Sequence, residues 1–296
     1  MSRELNRFAH LCARVFNRVQ AINLAHAEMI VGALADKLGI TAIGRLSGEV
    51  MMFDQDDELD ARDTDSADFE TRGYDVEMGV ARIAVEGTLV AKNYALRPEC
   101  GMTGYDGLRQ NFVEAVQDER VRAIMLEIDS PGGEVAGCFD LADLIYRAKG
   151  RKPVWAVLNE CAFSAAYAIA SACDRITVPR TGGTGSIGVV WMHCDFSQAL
   201  SEAGIKVTFV KRGSQKVDGA PEIPLSDEAL ARIQGEIDTI GELFEATVAR
   251  NRGLPPDSVR DMNAATFLGA AGVTLGLADE VMAPDAAFRA LVKSLG

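Results

Sequence analysis

Apolar and polar positions fall into two regimes along the chain. Over residues 3 to 39, Leu11, Val15, Val19 and Ile22, and then Ile30, Leu34 and Leu38, recur at intervals of three to four, the spacing of an amphipathic helix, and predict two helices. From Val76 onward, short apolar runs alternate with helical stretches. Strands are predicted at Val80 to Val85, Gly87 to Val90, Val121 to Ile128, Pro153 to Leu158, Arg175 to Val178, Ile187 to Trp191 and Val207 to Val210. Helices are predicted at Tyr105 to Gln117, Leu141 to Lys149, after Ser164, at Ser197 to Ala203 and over Leu225 to Asn251, with a strand–helix–strand piece in Ala264 to Met282. Repeated strand–helix units of this size indicate an α/β core with much parallel pairing.

This pattern divides the chain into an N-terminal helical arm over 1–48, an acidic linker over 49–75 and a main domain over 76–296. Composition sharpens the linker. Residues 54 to 70 hold nine acidic side chains and one arginine, so a net of −8 of the chain's −13 sits in one tract, which is expected to be extended and solvated. The acidity argues against tracking nucleic-acid phosphates. With no run of 18 apolar residues and no apolar core near the N-terminus, the expected protein is soluble and cytoplasmic, without a membrane partner. The six cysteines form no C-x-x-C pair and are expected to be reduced thiols; no metal and no cofactor are expected.

Four stretches carry candidate chemistry. Cys161-Ala-Phe-Ser-Ala-Ala-Tyr-Ala-Ile-Ala170 follows an apolar strand and places Ser164 at the first turn of a small-residue helix, where unpaired N–H groups favour an oxygen nucleophile or an oxyanion. Serine is also a preferred helix cap, and for an isolated serine capping is the commoner explanation. Asp129-Ser-Pro-Gly-Gly133 ends a buried strand, and its paired glycines can bring N–H groups to one point, or simply make a turn. Thr184-Gly-Ser-Ile-Gly188 can deliver the Ser186 hydroxyl into a cleft, or be a tight turn. Lys216 lies in Lys211-Arg-Gly-Ser-Gln-Lys-Val-Asp-Gly219 and would ordinarily be a surface lysine. A base there needs an uncharged amine, with burial beneath apolar groups and with Asp218 turned away. Of three histidines, only His193 lies in the core region, which disfavours a Ser-His-Asp site; Cys161 is a weaker alternative nucleophile.

Taken in order, with Ser186 and Lys216 following Ser164 by 22 and 52 residues, these stretches resemble the signal peptide peptidase A family of serine–lysine proteases. Within it the likeness is to the capsid assembly proteases of lambda-type tailed phages, through Gly87 to Val90, Gly101-Met-Thr-Gly-Tyr105, Val135-Ala-Gly137, Lys216 to Gly219 and the N-terminal arm through Leu38-Gly-Ile40. The resemblance implies a Clp-protease/crotonase-like core, Ser164 as nucleophile, Lys216 as general base, Ser186 orienting the lysine, and backbone at Gly132 and Gly133 as oxyanion hole. It further implies a homo-oligomer acting on scaffold, portal and capsid proteins, or on itself, inside an immature capsid. Ala165-Ala166 stands where membrane-associated relatives tend to have Gly-Gly, which narrows the cleft. The chain stops at Gly296, whereas phage relatives often continue into a scaffold segment, which puts direct fusion to scaffold in doubt. The alternatives are a cellular signal-peptide-digesting peptidase, a non-catalytic assembly factor and a crotonase-type acyl-CoA enzyme.

Overall fold

The computed structural model describes residues 18–22, 42–44, 50–52 and 72–296. The acidic tract and most of the arm lie outside them. Three short strands come first: β1 (Gln20–Ile22), β2 (Ala42–Gly44) and β3 (Val50–Met52), the last two pairing antiparallel. The helix expected across Val19 and Ile22 is thus replaced at Gln20–Ile22 by extended backbone. The reason is tertiary: these residues find hydrogen-bonding partners on both sides, which outweighs a local helical spacing.

The main domain opens with the antiparallel pair β4 (Asp75–Glu77) and β5 (Val80–Glu86), then β6 (Thr88–Val90), β7 (Met102–Gly104) and α1 (Tyr105–Gln117). It continues through β8 (Ala123–Ser130), β9 (Gly132–Glu134), α2 (Cys138–Arg147), β10 (Val154–Phe163), α3 (Ala165–Ser171), β11 (Arg175–Val178) and β12 (Gly183–Gly185). After α4 (Ser197–Glu202) come α5 (Asp227–Arg252), α6 (Pro256–Arg260), β13 (Thr266–Leu268), α7 (Gly269–Thr274), β14 (Glu280–Val281) and α8 (Pro284–Ser294).

The larger sheet runs β13-β12-β10-β8-β5-β4, with β11 and β14 attached beside β10. Its centre is parallel: β5 with β8, β8 with β10, and β10 with both β11 and β12. Parallel strands covered on both faces must be apolar throughout, and Ala123-Ile-Met-Leu126 is buried at every position. A second sheet runs β1-β9-β6-β7. β5 and β8 each run on, through Gly87 and Pro131, into a strand of this second sheet, so the two layers share their chain at two corners. The α/β class and its parallel core are as expected.

Two expected strands do not form. Ile187 to Trp191 is irregular apart from one bridge at Val190, and Val207 to Val210 has no strand partner among the described residues. A strand without a ladder is only an extended segment. Ile205, Val207, Phe209 and Val210 stay exposed, Val210 at 98%.

The core gathers where α3, α2 and the second half of α5 cover the parallel sheet. Every residue of Ala165-Ala-Tyr-Ala-Ile-Ala-Ser171 is buried, because alanines allow close approach and the Tyr167 hydroxyl donates to the Leu277 carbonyl at 2.8 Å. The two halves of α5 differ. Phe244, Thr247, Val248 and Ala249 are buried, Phe244 edge-on to Phe139 at 5.5 Å, whereas in the first half only Ala229 is buried. Phe244→Ala should therefore cost about 3–5 kcal/mol in denaturant unfolding. Leu230→Ala, at a 51% exposed position of the same helix, should shift stability by no more than about 0.5 kcal/mol.

Candidate active site

β10 carries the chain to Ser164. Its first half pairs with β11 and its second half, Cys161 to Phe163, pairs with Gly183 to Gly185 of β12. Ser164 then turns sharply, with φ 52 and ψ −120, before α3 begins. A non-glycine residue held at positive φ costs about 1–3 kcal/mol and persists only where its surroundings fix it. Here the Ser164 N–H donates to the Gly185 carbonyl at 2.9 Å, and its carbonyl accepts from the Ala168 N–H at 3.0 Å. The side chain makes no helix cap; its hydroxyl donates to the Gly188 carbonyl at 3.3 Å. Capping therefore does not account for this serine, which is 1% exposed.

Gly132 stands against it. With φ 104, Gly132 has a conformation that L side chains rarely adopt, and an added Cβ would lie 3.0 Å from Ser164 Cβ and 2.2 Å from the Ala21 carbonyl oxygen. A Cβ on Gly133 would meet the Leu89 carbonyl oxygen at 1.9 Å, so glycine is required there by backbone approach. The Gly132 N–H donates to Ser130 Oγ at 3.2 Å. The Ala165 N–H, first of α3 and next to the nucleophile candidate, makes no hydrogen bond among the described residues. It is a further donor at this point, signalled in the sequence only as the start of a helix.

The structure brings Gly132, Gly133 and the turn at Ser186 to this place. Ser186, also at positive φ (53), is half-buried; its N–H donates to the Ala265 carbonyl at 2.8 Å. Lys216 lies on a 3₁₀ turn, Ser214–Val217, exposed, and its amine makes no hydrogen bond or ion pair among the described residues. Asp218 is turned to Arg232 at 2.8 Å, as the base role required. His193 stacks on Trp191 and contacts the Ala220 carbonyl at 3.4 Å.

Cys161 sits 3.5 Å from Asp129 Oδ1 and 3.7 Å from the Ser130 carbonyl oxygen. Burial first, and then the Asp129 carboxylate, push its thiol up to about 12, so it is protonated and poorly nucleophilic near neutral pH. No disulfide joins any of the five described cysteines, and no His, Cys, Asp and Glu cluster among the described residues could hold a metal ion. No helix among the described residues is long and apolar enough to cross a membrane.

The chain is 37% identical over 284 residues to capsid assembly protease C of Escherichia phage lambda, covering 95% of this chain and 65% of that protein. It is 38% identical over 289 residues to the head-tail preconnector protein GP5 of Enterobacteria phage P21, covering 97% and 58%. The chain thus spans about three fifths of the length of these relatives. Among solved structures, an enoyl-CoA hydratase from Shewanella pealeana is similar at a TM-score of 0.44 and 12% identity, over 75% of this chain and 72% of its own. The family model for peptidase family S49 matches residues 147–296, the half that holds Ser164, Ser186 and Lys216, and the chain belongs to that family.

Proposed function

We propose that the chain is a serine endopeptidase of phage head maturation, with Ser164 as nucleophile and Lys216 as general base. The observation that carries this reading is the Ser164 turn: a strained, buried serine on rigid neighbours, its hydroxyl free of any capping duty, beside two glycines and an unpaired N–H. Strain of this kind gathers at functional sites. Membership of a peptidase family and likeness to a protein named a capsid assembly protease support the reaction class.

In the proposed mechanism an uncharged Lys216 amine takes the Ser164 proton, and the Ser164 oxygen attacks the scissile carbonyl. N–H groups at Gly133 and Ala165 meet the developing oxyanion, worth about 3 kcal/mol each. The lysine then protonates the leaving amine, and water releases the acyl group by the same steps. Ser186 orients the lysine. Lys216 must first be delivered, either by closure of the exposed segment that bears it or by a neighbouring copy. The bare apolar residues Ile205, Phe209 and Val210 ahead of it are suited to being covered in a homo-oligomer. Scaffold, portal and coat proteins inside the immature capsid, in the host cytoplasm, are the proposed substrates, with self-cleavage in addition. The arm over 1–48 and the linker over 49–75 are proposed as the appendage to this protease domain.

The exposure of Lys216 in the single chain favours one rival, a non-catalytic assembly factor that keeps the fold. Co-expression with capsid proteins separates the two. Ser164→Ala and Lys216→Ala should each reduce processing by at least about 10³-fold, read by gel and mass spectrometry. Equal processing by all three forms would leave the assembly factor standing. Alkylation gives a second check. Iodoacetamide at neutral pH should modify exposed Cys100, spare Cys161 and leave proteolysis intact, whereas a serine-reactive phosphonate should stop it. Loss of activity on modification of Cys161 would transfer the nucleophile to the thiol.

A further inference from the structure

β1 lies where an extended peptide would meet Ser164. It runs antiparallel to β9, with Ala21 opposite Gly133 and Ile22 opposite Gly132. On its other side Gln20 exchanges two backbone hydrogen bonds with Val190, each 2.8 Å. Successive residues of a strand turn their peptide groups to opposite sides. Because Gln20 faces Val190, Ala21 faces β9, and its carbonyl is directed to the Gly133 N–H. That carbonyl oxygen and Ser164 Cβ both lie within 3.0 Å of one point, the place a Cβ on Gly132 would take. The other edge of β9 is already occupied by β6, so β1 holds the edge that leads to the serine. All three residues of β1 are buried.

We propose that Gln20–Ile22 is a resident occupant of the substrate cleft. Substrates bind as a strand added between Gly132–Glu134 and Val190, with an alanine-sized residue beside Ser164, and β1 must leave before another peptide enters. Strand addition supplies the main-chain hydrogen bonds, and the closeness of the backbones on either side limits the central side chain. This rests on reading Ser164 as the nucleophile. A cavity of about 320 Å³ bordered by Arg18, Val19, Gln20, Glu134, Val135 and Ala136 continues the track on the N-terminal side of Ala21. Within this region Glu134 Oε2 accepts from the Ala91 N–H at 2.7 Å, while buried Oε1 has no partner among the described residues. The resident strand therefore leaves one acceptor unused. A peptide offering a donor there has an advantage in displacing it.

The test uses the full chain carrying Ala21→Trp, too large for a fully buried alanine site, and Gln20→Pro, which deletes the donor to Val190 without adding volume to the core. Both should raise hydrogen exchange at the Gly133 and Val190 amides about tenfold or more and speed phosphonate labelling of Ser164 by a similar factor. A synthetic peptide of residues 18 to 24 should restore protection and slow labelling, and its Ala21→Trp version should do neither. Unchanged exchange in both variants, or exchange that the peptide fails to restore, would overturn the occupant. Hydrogen exchange reads the strand without chemistry. Exchange that behaves as expected with no labelling at Ser164 would support strand exchange and remove the nucleophile.

Discussion

The hydrogen bond from the Ser164 N–H to the Gly185 carbonyl is the constraint on which the site depends. It ties the end of β10 to the end of β12 and fixes the backbone at an angle that serine would not adopt alone. Both strands are held in turn. The central pairing of β8 with β10 is parallel and buried, so neither can slide without misplacing close-packed side chains on both faces. α3 then sets the direction in which the chain leaves, and its alanines let it sit against the sheet without a gap.

The two shared corners give the second sheet its position. Because β5 passes through Gly87 into β6, and β8 through Pro131 into β9, the smaller sheet is bolted to the larger by covalent continuity. Glycines at 132 and 133 let β9 approach Leu89 on one side and the serine on the other. A side chain at 133 would push β9 away from β6, and one at 132 would press on Ser164 and on the Ala21 carbonyl. The site is therefore a seam between sheets, formed by the backbone more than by any set of side chains.

How much of this was legible beforehand follows from the range of the forces involved. β8, β10 and α3 were readable because continuous apolar runs and an alanine-rich helix report burial locally. Ser164, Gly132 and Gly133 could be singled out because turns and glycines also leave local marks. Gln20–Ile22 could not: a three-residue strand has no period of its own, and its partners stand more than a hundred residues away. Val207 to Val210 errs in the other direction, since β-branched residues advertise a strand but only a neighbouring ladder can make one. The environment of Lys216 depends on contacts outside its own segment, and no spacing encodes those.

The distance in sequence between β1 and its partners also orders assembly. Residues 20 to 22 leave the ribosome before Gly133 and Val190 exist, and closing so long a loop carries an entropic cost that grows only with the logarithm of its length. β1 can therefore pair only after β9 and the segment at Val190 have been made. Until β1 pairs, that edge of β9 is open, and any other extended chain would have to outcompete a strand tethered to the same molecule.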